Sequence, residues 1–587
     1  MMALPFASKK FDIQVQGQPL SKLGLTVIEA EVQYTVNRIP MARLTCRVDI
    51  EDPANSWASL SQIDKAWRPA HAVKISYTDE TGTRVPIFDG MVARPLNPSY
   101  VQRQLTCQLE VVHELQKMAN SHRSQVLTQK GEKLTDAQAL QKLFKEHGIK
   151  VKKVDGMTVS HAQLIQWSCS DWAWLMSRIS AYPVWLIGAP EQSVSILKPD
   201  IGQAPQGLVL KAAKQNAGIE LRDMKYRRDS RRLPSQLSVN YWDVAQQKSR
   251  SVKAKSPAVG SGVFKPLTYA ASDAMHWTLN AGLPLSETEA QSFADARLLG
   301  CQLAGTQAEF TVDWSEATAK LAPGQTLELS GYGTFDGKGL IAEVRHQWIG
   351  AGQGKTIVTT GRPNAVIGLQ VPEIDAPLMP RVQGMAPGVV VKPGREKDPT
   401  GWGCMAVRVP GLGGTPGQEP PVWVRPGMAY ASKGSGLCLY PEADDEVMLA
   451  FLSDDPRFPV IVSAVHNPKN KAPFEPSEKN EQKGLVLAKD GKTQFQWLFD
   501  IKDGGTLTLE AQKTALVLSK ASLRLHGEEA FALDAKKITV EAKEGLTLKN
   551  GQSEMKMGGT SLSAKSQTLS LQGSAKADLK GGQVNLG

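Results

Sequence analysis

The sequence predicts a mainly β protein with an α+β N-terminal part, a small OB-type barrel and a C-terminal needle built as a trimeric β-prism. Three observations lead to this fold class. Alternating strands and three helix-like segments occupy residues 1–370, and five short apolar runs lie in a Pro/Gly-rich region at 377–475. Within the C-terminal region 484–587, apolar residues recur in i, i+2 pairs about every eight residues from Leu523/Leu525 onward.

The composition is that of a soluble, turn-rich protein of several domains. The 587 residues are 21% charged and 41% hydrophobic, and they include 51 Gly and 35 Pro, which favours β structure with many turns. The first residues contain no long apolar run of the signal-peptide kind, and no segment reaches the length of a membrane span. We therefore expect folding in the cytoplasm without a signal peptide, and export only if a dedicated machine carries the protein out.

The N-terminal part, residues 1–370, combines strands such as "FDIQVQG" and "RLTCRVDI" with three helices. The segment "LTDAQALQKLFKEHGI" forms one apolar helix face, made of Leu134, Ala137, Leu140, Leu143 and Phe144. In "SDWAWLMSRISAY", Ser170 is the predicted N-cap, and Ser286 begins a third helix in "SETEAQSFADARLLGCQL". Strands mixed with a few helices indicate an α+β arrangement.

The second region, residues 377–475, contains five short apolar runs: "GVVV", "MAVRVP", "VWVRPG", "EVMLAFL" and "PVIVSAV". Five short strands in about a hundred residues are typical of a small OB-type barrel. A polar linker at 476–483 separates this region from the C-terminal repeat.

The C-terminal repeat at 484–587 places two apolar side chains on one face of each short strand, because strand side chains alternate between faces. A single chain would leave this face and its strand edges uncovered, whereas three chains wound around one axis would cover both. An ordinary antiparallel domain of short hairpins is the alternative. The predicted trimer-core residues are Ile538, Val540, Leu546, Leu548, Met555, Met557, Leu569 and Leu571.

The sequence contains only weak signals for catalytic, cofactor-binding or metal-binding sites. The segment "IGAGQGKT" at 349–356 approaches a phosphate-binding loop, but Ile349 replaces the first Gly and alternating β-branched residues follow, which favours a hairpin turn. The nine histidines form no zinc motif. We therefore predict no catalytic residues, no cofactor and no metal.

The cysteines and the net charge give no binding site of their own. The six cysteines are far apart in the sequence without metal-ligand spacing, so we expect buried free thiols in a reducing compartment. The net charge of +10 is modest for this length and is explained by surface lysines. Because basic and acidic residues nearly balance in the barrel region, we predict no nucleic-acid binding.

Several motifs resemble those of VgrG proteins, the spikes of type VI secretion. The barrel segments "WVRP" (Trp423–Pro426) and "YPEADDEVMLAFLSDDPRFPVIVSAVHNPKNKAPF" (Tyr440–Phe474) resemble the VgrG barrel, although Asp444 and Asp454 stand where the family usually has Gly. In the N-terminal part, "QWSCSDWAWLMSRISAY", "VNYWDVAQQ" and "LAPGQTLELSG" are similar to family segments. The resemblance covers nearly the whole chain in one order.

The resemblance implies a homotrimeric puncturing spike that does no chemistry itself. The N-terminal part would be a phage-tail-hub-like ring that joins a hexameric tail-tube protein and baseplate proteins to the needle. The needle tip, formed by Val584, Asn585, Leu586 and Gly587, would bind a proline-alanine-alanine-arginine repeat (PAAR) cone protein. Secreted effectors or their adaptors would be carried along, and the spike would contact the target membrane transiently. The lysines of the repeat are expected at outward, solvated strand positions, with contact to anionic lipid as the alternative.

Related machines leave two alternatives open. The same architecture would serve as the spike or baseplate hub of an extracellular contractile injection particle or of a tailed phage. A hydrolase that degrades the cell envelope is an alternative of another class. In each hypothesis in which the protein is a spike, it is assembled in the cytoplasm and then injected into a target cell or released into the medium.

Overall fold

The computed structural model describes the chain as two compact units, Met1–Asn470 and Lys471–Gly587. The described residues are 11–48, 61, 63–79, 81–94, 97–101, 104–128, 132–212, 219, 221–231, 233–255, 257–267, 275–350, 353–361, 377–392, 394 and 398–585. Most of the regular structure is strand, with few helices, so the predicted mainly β class is confirmed. None of the helices in the described part of the chain has both the length and the apolar character needed to cross a membrane.

In the N-terminal region, between residues 11 and 361, five α-helices and twenty-four strands are described over their full length. The helices are α1 (Gln116–Asn120), α2 (Asp136–Glu146), α3 (Asp171–Ser180), α4 (Glu287–Gly305) and α5 (Glu316–Ala319). The strands are β1 (Phe11–Val15), β2 (Gln18–Pro19), β3 (Leu25–Thr35), β4 (Met41–Val48), β5 (Ala72–Thr78), β6 (Arg84–Val92), β7 (Asn97–Val101), β8 (Gln104–Val112), β9 (Arg123–Val126), β10 (Leu134–Thr135), β11 (Lys150–Val154), β12 (Ser160–His161), β13 (Ile165–Cys169), β14 (Trp185–Ala189), β15 (Ser193–Leu197), β16 (Gln206–Lys211), β17 (Leu221–Arg228), β18 (Gln236–Asp243), β19 (Lys248–Lys253), β20 (His276–Asn280), β21 (Thr306–Asp313), β22 (Thr326–Ser330), β23 (Gly337–Ile349) and β24 (Gln353–Thr360).

The three predicted helices form, and the second and third begin at their predicted serines; Leu134, predicted on the apolar face of the first, lies in β10 just before α2. Ser170 Oγ accepts a hydrogen bond from the Ala173 amide, and Ser286 Oγ accepts one from the Glu289 amide, so both serines cap a first turn. Thr135 caps α2, whose residues Leu140, Leu143 and Phe144 are fully buried.

A 14-stranded sheet dominates the N-terminal region, with the main order β17-β21-β24-β23-β3-β4-β8-β6-β5-β1-β2. The segment resembling a phosphate-binding loop joins β23 to β24, which pair antiparallel with Ile349 opposite Gln353. The hairpin prediction for this segment is therefore confirmed.

The OB barrel closes in the order β25-β26-β27-β31-β30. Its strands are β25 (Ala386–Lys392), β26 (Met405–Arg408), β27 (Val422–Pro426), β30 (Glu446–Phe451) and β31 (Pro459–Val465), with a small hairpin of β28 (Ala431–Ser432) and β29 (Ser435–Gly436). All five predicted apolar runs are barrel strands. Asp444 and Asp454, which replace the usual Gly, have φ of 69° and 61°. Glycine adopts this left-handed backbone without strain, and Asp tolerates it better than most residues.

The second unit is built from two antiparallel meanders. The first has the order β32-β33-β34-β35-β36 and the second β37-β38-β39. Their bounds are β32 (Gln482–Lys489), β33 (Lys492–Asp500), β34 (Thr506–Ala511), β35 (Thr514–Ser519), β36 (Leu523–His526), β37 (Gly545–Asn550), β38 (Ser553–Gly558) and β39 (Leu562–Lys565).

Candidate functional site

A buried cluster of charged side chains joins the N-terminal region to the OB barrel, and we call it the junction cluster: Asp136, His161, Arg178, Tyr182, Glu289, Asp455 and Arg457. Its first half lies between α2 and α3. Arg178 of α3 donates from Nε to Asp136 Oδ1 at 2.8 Å and from Nη2 to Asp136 Oδ2 at 3.0 Å. The Tyr182 hydroxyl donates to Asp136, and His161 Nε2 lies 2.7 Å from Asp136 Oδ2. Arg178 is fully buried.

The second half of the cluster connects the barrel to α4. Arg457, which lies between barrel strands β30 and β31, donates to Glu289 Oε1 at 2.5 Å. It also binds Asp455 through two bonds, from Nε to Oδ1 at 3.0 Å and from Nη2 to Oδ2 at 2.8 Å. Because Glu289 stands in the first turn of α4, the barrel is tied by a charge-assisted bond to the start of a long helix.

The two halves of the cluster are linked through Glu289. Arg178 Nη2 lies 3.4 Å from Glu289 Oε1, and His161 Nδ1 lies 3.9 Å from Glu289 Oε2. Two arginines thus face three carboxylates in the protein interior. A buried ion pair loses much of its hydration, so the removal of one partner leaves an uncompensated charge.

The arginines keep the buried carboxyl groups ionised. Burial alone would raise the pKa of Glu289, but the guanidinium of Arg457 lowers that pKa to about 2. Arg178 and His161 likewise overcome burial and hold the pKa of Asp136 well below its ordinary value. Such carboxylates are weak proton acceptors near neutral pH, so the cluster is suited to holding elements together rather than to general base catalysis.

A shared core and an amide bridge surround the cluster. Gln163 Nε2 donates to the Trp423 carbonyl at 3.3 Å, and its Oε1 accepts from the Trp423 amide at 2.7 Å, which occupies backbone groups of barrel strand β27. Val126 and Ile165 of the N-terminal region belong to the barrel's own apolar core. The N-terminal region and the barrel are therefore packed as one body.

The first meander of the second unit has one continuous apolar face. Strand register aligns two rows on this face: Leu485, Trp497, Leu509, Leu516 and Leu525 form one, and Phe499, Leu507, Leu518 and Leu523 form the other. Trp497 is 44% exposed in the single chain. An apolar face of this extent marks an interaction surface.

The predicted trimer-core residues lie further along this unit. In the second meander Leu546 stands opposite Met557 and Leu548 opposite Met555, so these four side chains share one face of the sheet. Leu546 is half-buried, whereas Leu548 is 55% exposed. The remaining four predicted residues are exposed and lie outside the strands: Ile538, Val540, Leu569 and Leu571.

The predicted tip is described only in part. Val584 is 52% exposed and Asn585 is also exposed. Leu586 and Gly587 lie outside the described residues.

The prediction of buried cysteines is confirmed for Cys46, Cys107, Cys301 and Cys404. It is wrong for Cys438, which is exposed between β29 and β30, and for Cys169, which is half-buried at the end of β13. Among the described residues, no group of three or more His, Cys, Asp or Glu side chains is placed to hold a metal ion.

Sequence reasoning did not identify the junction cluster. Asp136 and Glu289 stand in the first turns of helices, where acidic residues are common because they favour the helix dipole. Arg457 is part of the barrel motif "SDDPRFPV", which indicates the family resemblance but not a buried ion pair. Arg178 does give a signal, because a basic residue within the largely apolar helix segment "DWAWLMSRIS" indicates a buried charge that needs an acidic partner.

Comparisons with known proteins agree with this architecture. The family described as the Alg8 N-terminal domain matches residues 7–349, and the type VI secretion system/phage-baseplate injector OB domain matches residues 386–466. Among solved structures, the Francisella PdpA–VgrG complex in its lidded form is similar at 9% identity, with 88% of this chain and 79% of that chain covered and a TM-score of 0.56. Its half-lidded form gives a TM-score of 0.52 at 9% identity, with 88% and 87% covered.

A third similar structure is the E. coli c3393 protein, described as a component of the type VI secretion system. It is 14% identical over 77% of this chain and 99% of that chain, with a TM-score of 0.48. No curated protein matches the sequence. The two Francisella structures show the fold, and the match of the injector OB domain falls on the closed barrel.

Proposed function

We propose that this chain, which belongs to the Alg8 N-terminal domain family, is the trimeric puncturing spike of a contractile injection system. Its injector-type OB domain supports a structural role in such a machine. The proposal assigns residues 1–370 to a hub ring, 377–475 to the barrel, 476–483 to a linker and 484–587 to the needle. The hub would receive a hexameric tail tube and baseplate proteins. The role is mechanical, and no residue is assigned to catalysis.

The observation that carries the trimer is the uncovered apolar face of the second unit. In one chain Trp497 and Phe499 are exposed, the leucines opposite them on the next strand are half-buried, and Leu548 is exposed in the second meander. A face of this kind is covered when copies of the same chain pack around a common axis.

Light scattering on the purified full chain tests the trimer. The expected mass is three times the 63.7 kDa of one chain, and it should persist on dilution because an obligate trimer has no stable separate subunit. A folded chain that scatters as a monomer at micromolar concentration would contradict the proposal.

The needle tip is proposed to bind a small cone-shaped protein of the PAAR type, with effectors or their adaptors carried on the spike. Val584 and Leu579 present exposed apolar side chains near this end of the unit, which supports apolar capture of a partner. Val584→Asp should therefore reduce capture of the cone protein in a pull-down more than tenfold, while the trimer mass stays unchanged. Lys580→Asp places the same charge nearby and is the matched control. Equal capture by the two variants would remove Val584 from the binding surface.

A further inference from the structure

Two buried cysteines lie opposite each other in the large sheet. Strand β4 pairs antiparallel with β8, and the register places Cys46 directly opposite Cys107. Both side chains are in the apolar core, with exposed fractions of 0% and 1%. The sequence gives no hint of this pair, since sixty residues separate the two positions.

The geometry of the pair suits a disulfide. Directly opposed residues of an antiparallel pair have Cα atoms about 4.5 or 5.5 Å apart, depending on the hydrogen-bonding pattern. Disulfides span Cα separations of about 4.4–6.8 Å, so either pattern allows the bond without a backbone shift. The two thiols lie across the strand pair from each other in the same apolar core, which is the placement that a cross-strand disulfide needs.

The interaction between the two sulfur atoms makes the thiols unequal. It raises the pKa of Cys46, with burial acting in the same direction, and it lowers the pKa of Cys107. Cys107 is therefore the thiol that ionises first, and the thiolate is the nucleophile in disulfide exchange.

We propose that Cys46 and Cys107 form a latent cross-strand disulfide that closes when the protein meets a disulfide-bearing oxidant. The Cys107 thiolate attacks one sulfur of the reagent and releases a thiol, which leaves a mixed disulfide. The Cys46 thiolate then attacks Cys107 Sγ and releases the second thiol. The pair loses two electrons and two protons, and the reagent disulfide is reduced to two thiols.

Closure would add stability after export. The bond would link β4 to β8 across the segment that contains β5, β6 and β7, which reduces the conformational freedom of the unfolded chain. A reducing cytoplasm keeps both thiols reduced during folding, and an oxidising exterior favours the disulfide. This timing rests on the proposed export of the spike, whereas the bond itself does not.

Oxidation of the full chain tests the proposal. A Cys438→Ser background removes the exposed thiol, which would otherwise cross-link separate molecules. We expect oxidised glutathione to consume two thiols per chain and to join the Cys46 and Cys107 peptides in a non-reducing digest. The midpoint of thermal unfolding should rise and should return to its starting value with dithiothreitol. Because both thiols are buried, mild urea should accelerate the reaction by favouring local opening.

Two variants provide the controls. Cys46→Ala and Cys107→Ala should each abolish the linked peptide and the rise in the thermal midpoint. A digest that contains glutathione adducts but no Cys46–Cys107 peptide would overturn the proposal, as would the same rise in both alanine variants. If neither variant folds, the peptide map of the Cys438→Ser chain still decides between these outcomes.

Discussion

Arg457→Met should lower the free energy of unfolding of the unit Met1–Asn470 by about 3–5 kcal/mol. The substitution keeps most of the side-chain volume but removes the cation that Glu289 and Asp455 share, both of which are buried. Two buried carboxylates would then lack the cation that offsets their loss of hydration. Urea unfolding followed by tryptophan fluorescence measures the change.

A second variant and a surface control separate this effect from a general loss of charge. Adding Glu289→Met to Arg457→Met removes one of the two carboxylates left without a cation. The double variant should therefore lose less unfolding free energy than the sum of the losses of the two single variants. Lys225→Met breaks the exposed pair with Glu309 at 3.0 Å and should leave the unfolding midpoint unchanged. If Arg457→Met unfolds with the parent protein, the junction cluster does not hold the barrel in place.

Local patterns predicted the regular elements well. The caps at Ser170 and Ser286 determine where α3 and α4 begin, since a serine hydroxyl satisfies an amide of the first turn. The barrel strands are short apolar runs in a segment rich in Gly and Pro, a combination that leaves few alternatives to strand and turn. The order of these segments and their motifs led to the family resemblance, which the injector OB domain match supports.

The parts that escaped prediction depend on pairs that are distant in the chain. Arg457 and Glu289 are 168 residues apart and meet only because the barrel packs on α4. Cys46 and Cys107 meet through the register of β4 with β8, which neither segment specifies alone. Periodicity within one element identifies its buried face but not the residue on the opposite element.

The C-terminal repeat was predicted only in part. The i, i+2 spacing predicted that Leu546 and Leu548 share a face, and in the sheet they are joined there by Met557 and Met555. The same spacing at Ile538, Val540, Leu569 and Leu571 falls outside strands in the single chain. Strands that pair only between copies would have this property, so the trimeric needle stays a prediction that depends on association.

Leu546→Asp should destabilise the needle by more than about 3 kcal/mol per chain, because the trimer would bury each new carboxylate without a partner. Leu546 is already half-buried against its own sheet, opposite Met557. Around a three-fold axis the charge would be repeated in each copy, which adds mutual repulsion to the loss of hydration. The thermal midpoint and the light-scattering mass of the full chain report the effect.

Thr547→Asp is the matched control for this prediction. It introduces the same charge on the next residue of β37, where the side chain points to the opposite face and stands across from Lys556. A cross-strand pair of opposite charges is tolerated at such a site, so this variant should remain trimeric and melt with the parent protein. Equal shifts for the two variants would mean that neither face is buried between copies, and the needle would then be the single-chain domain of short hairpins.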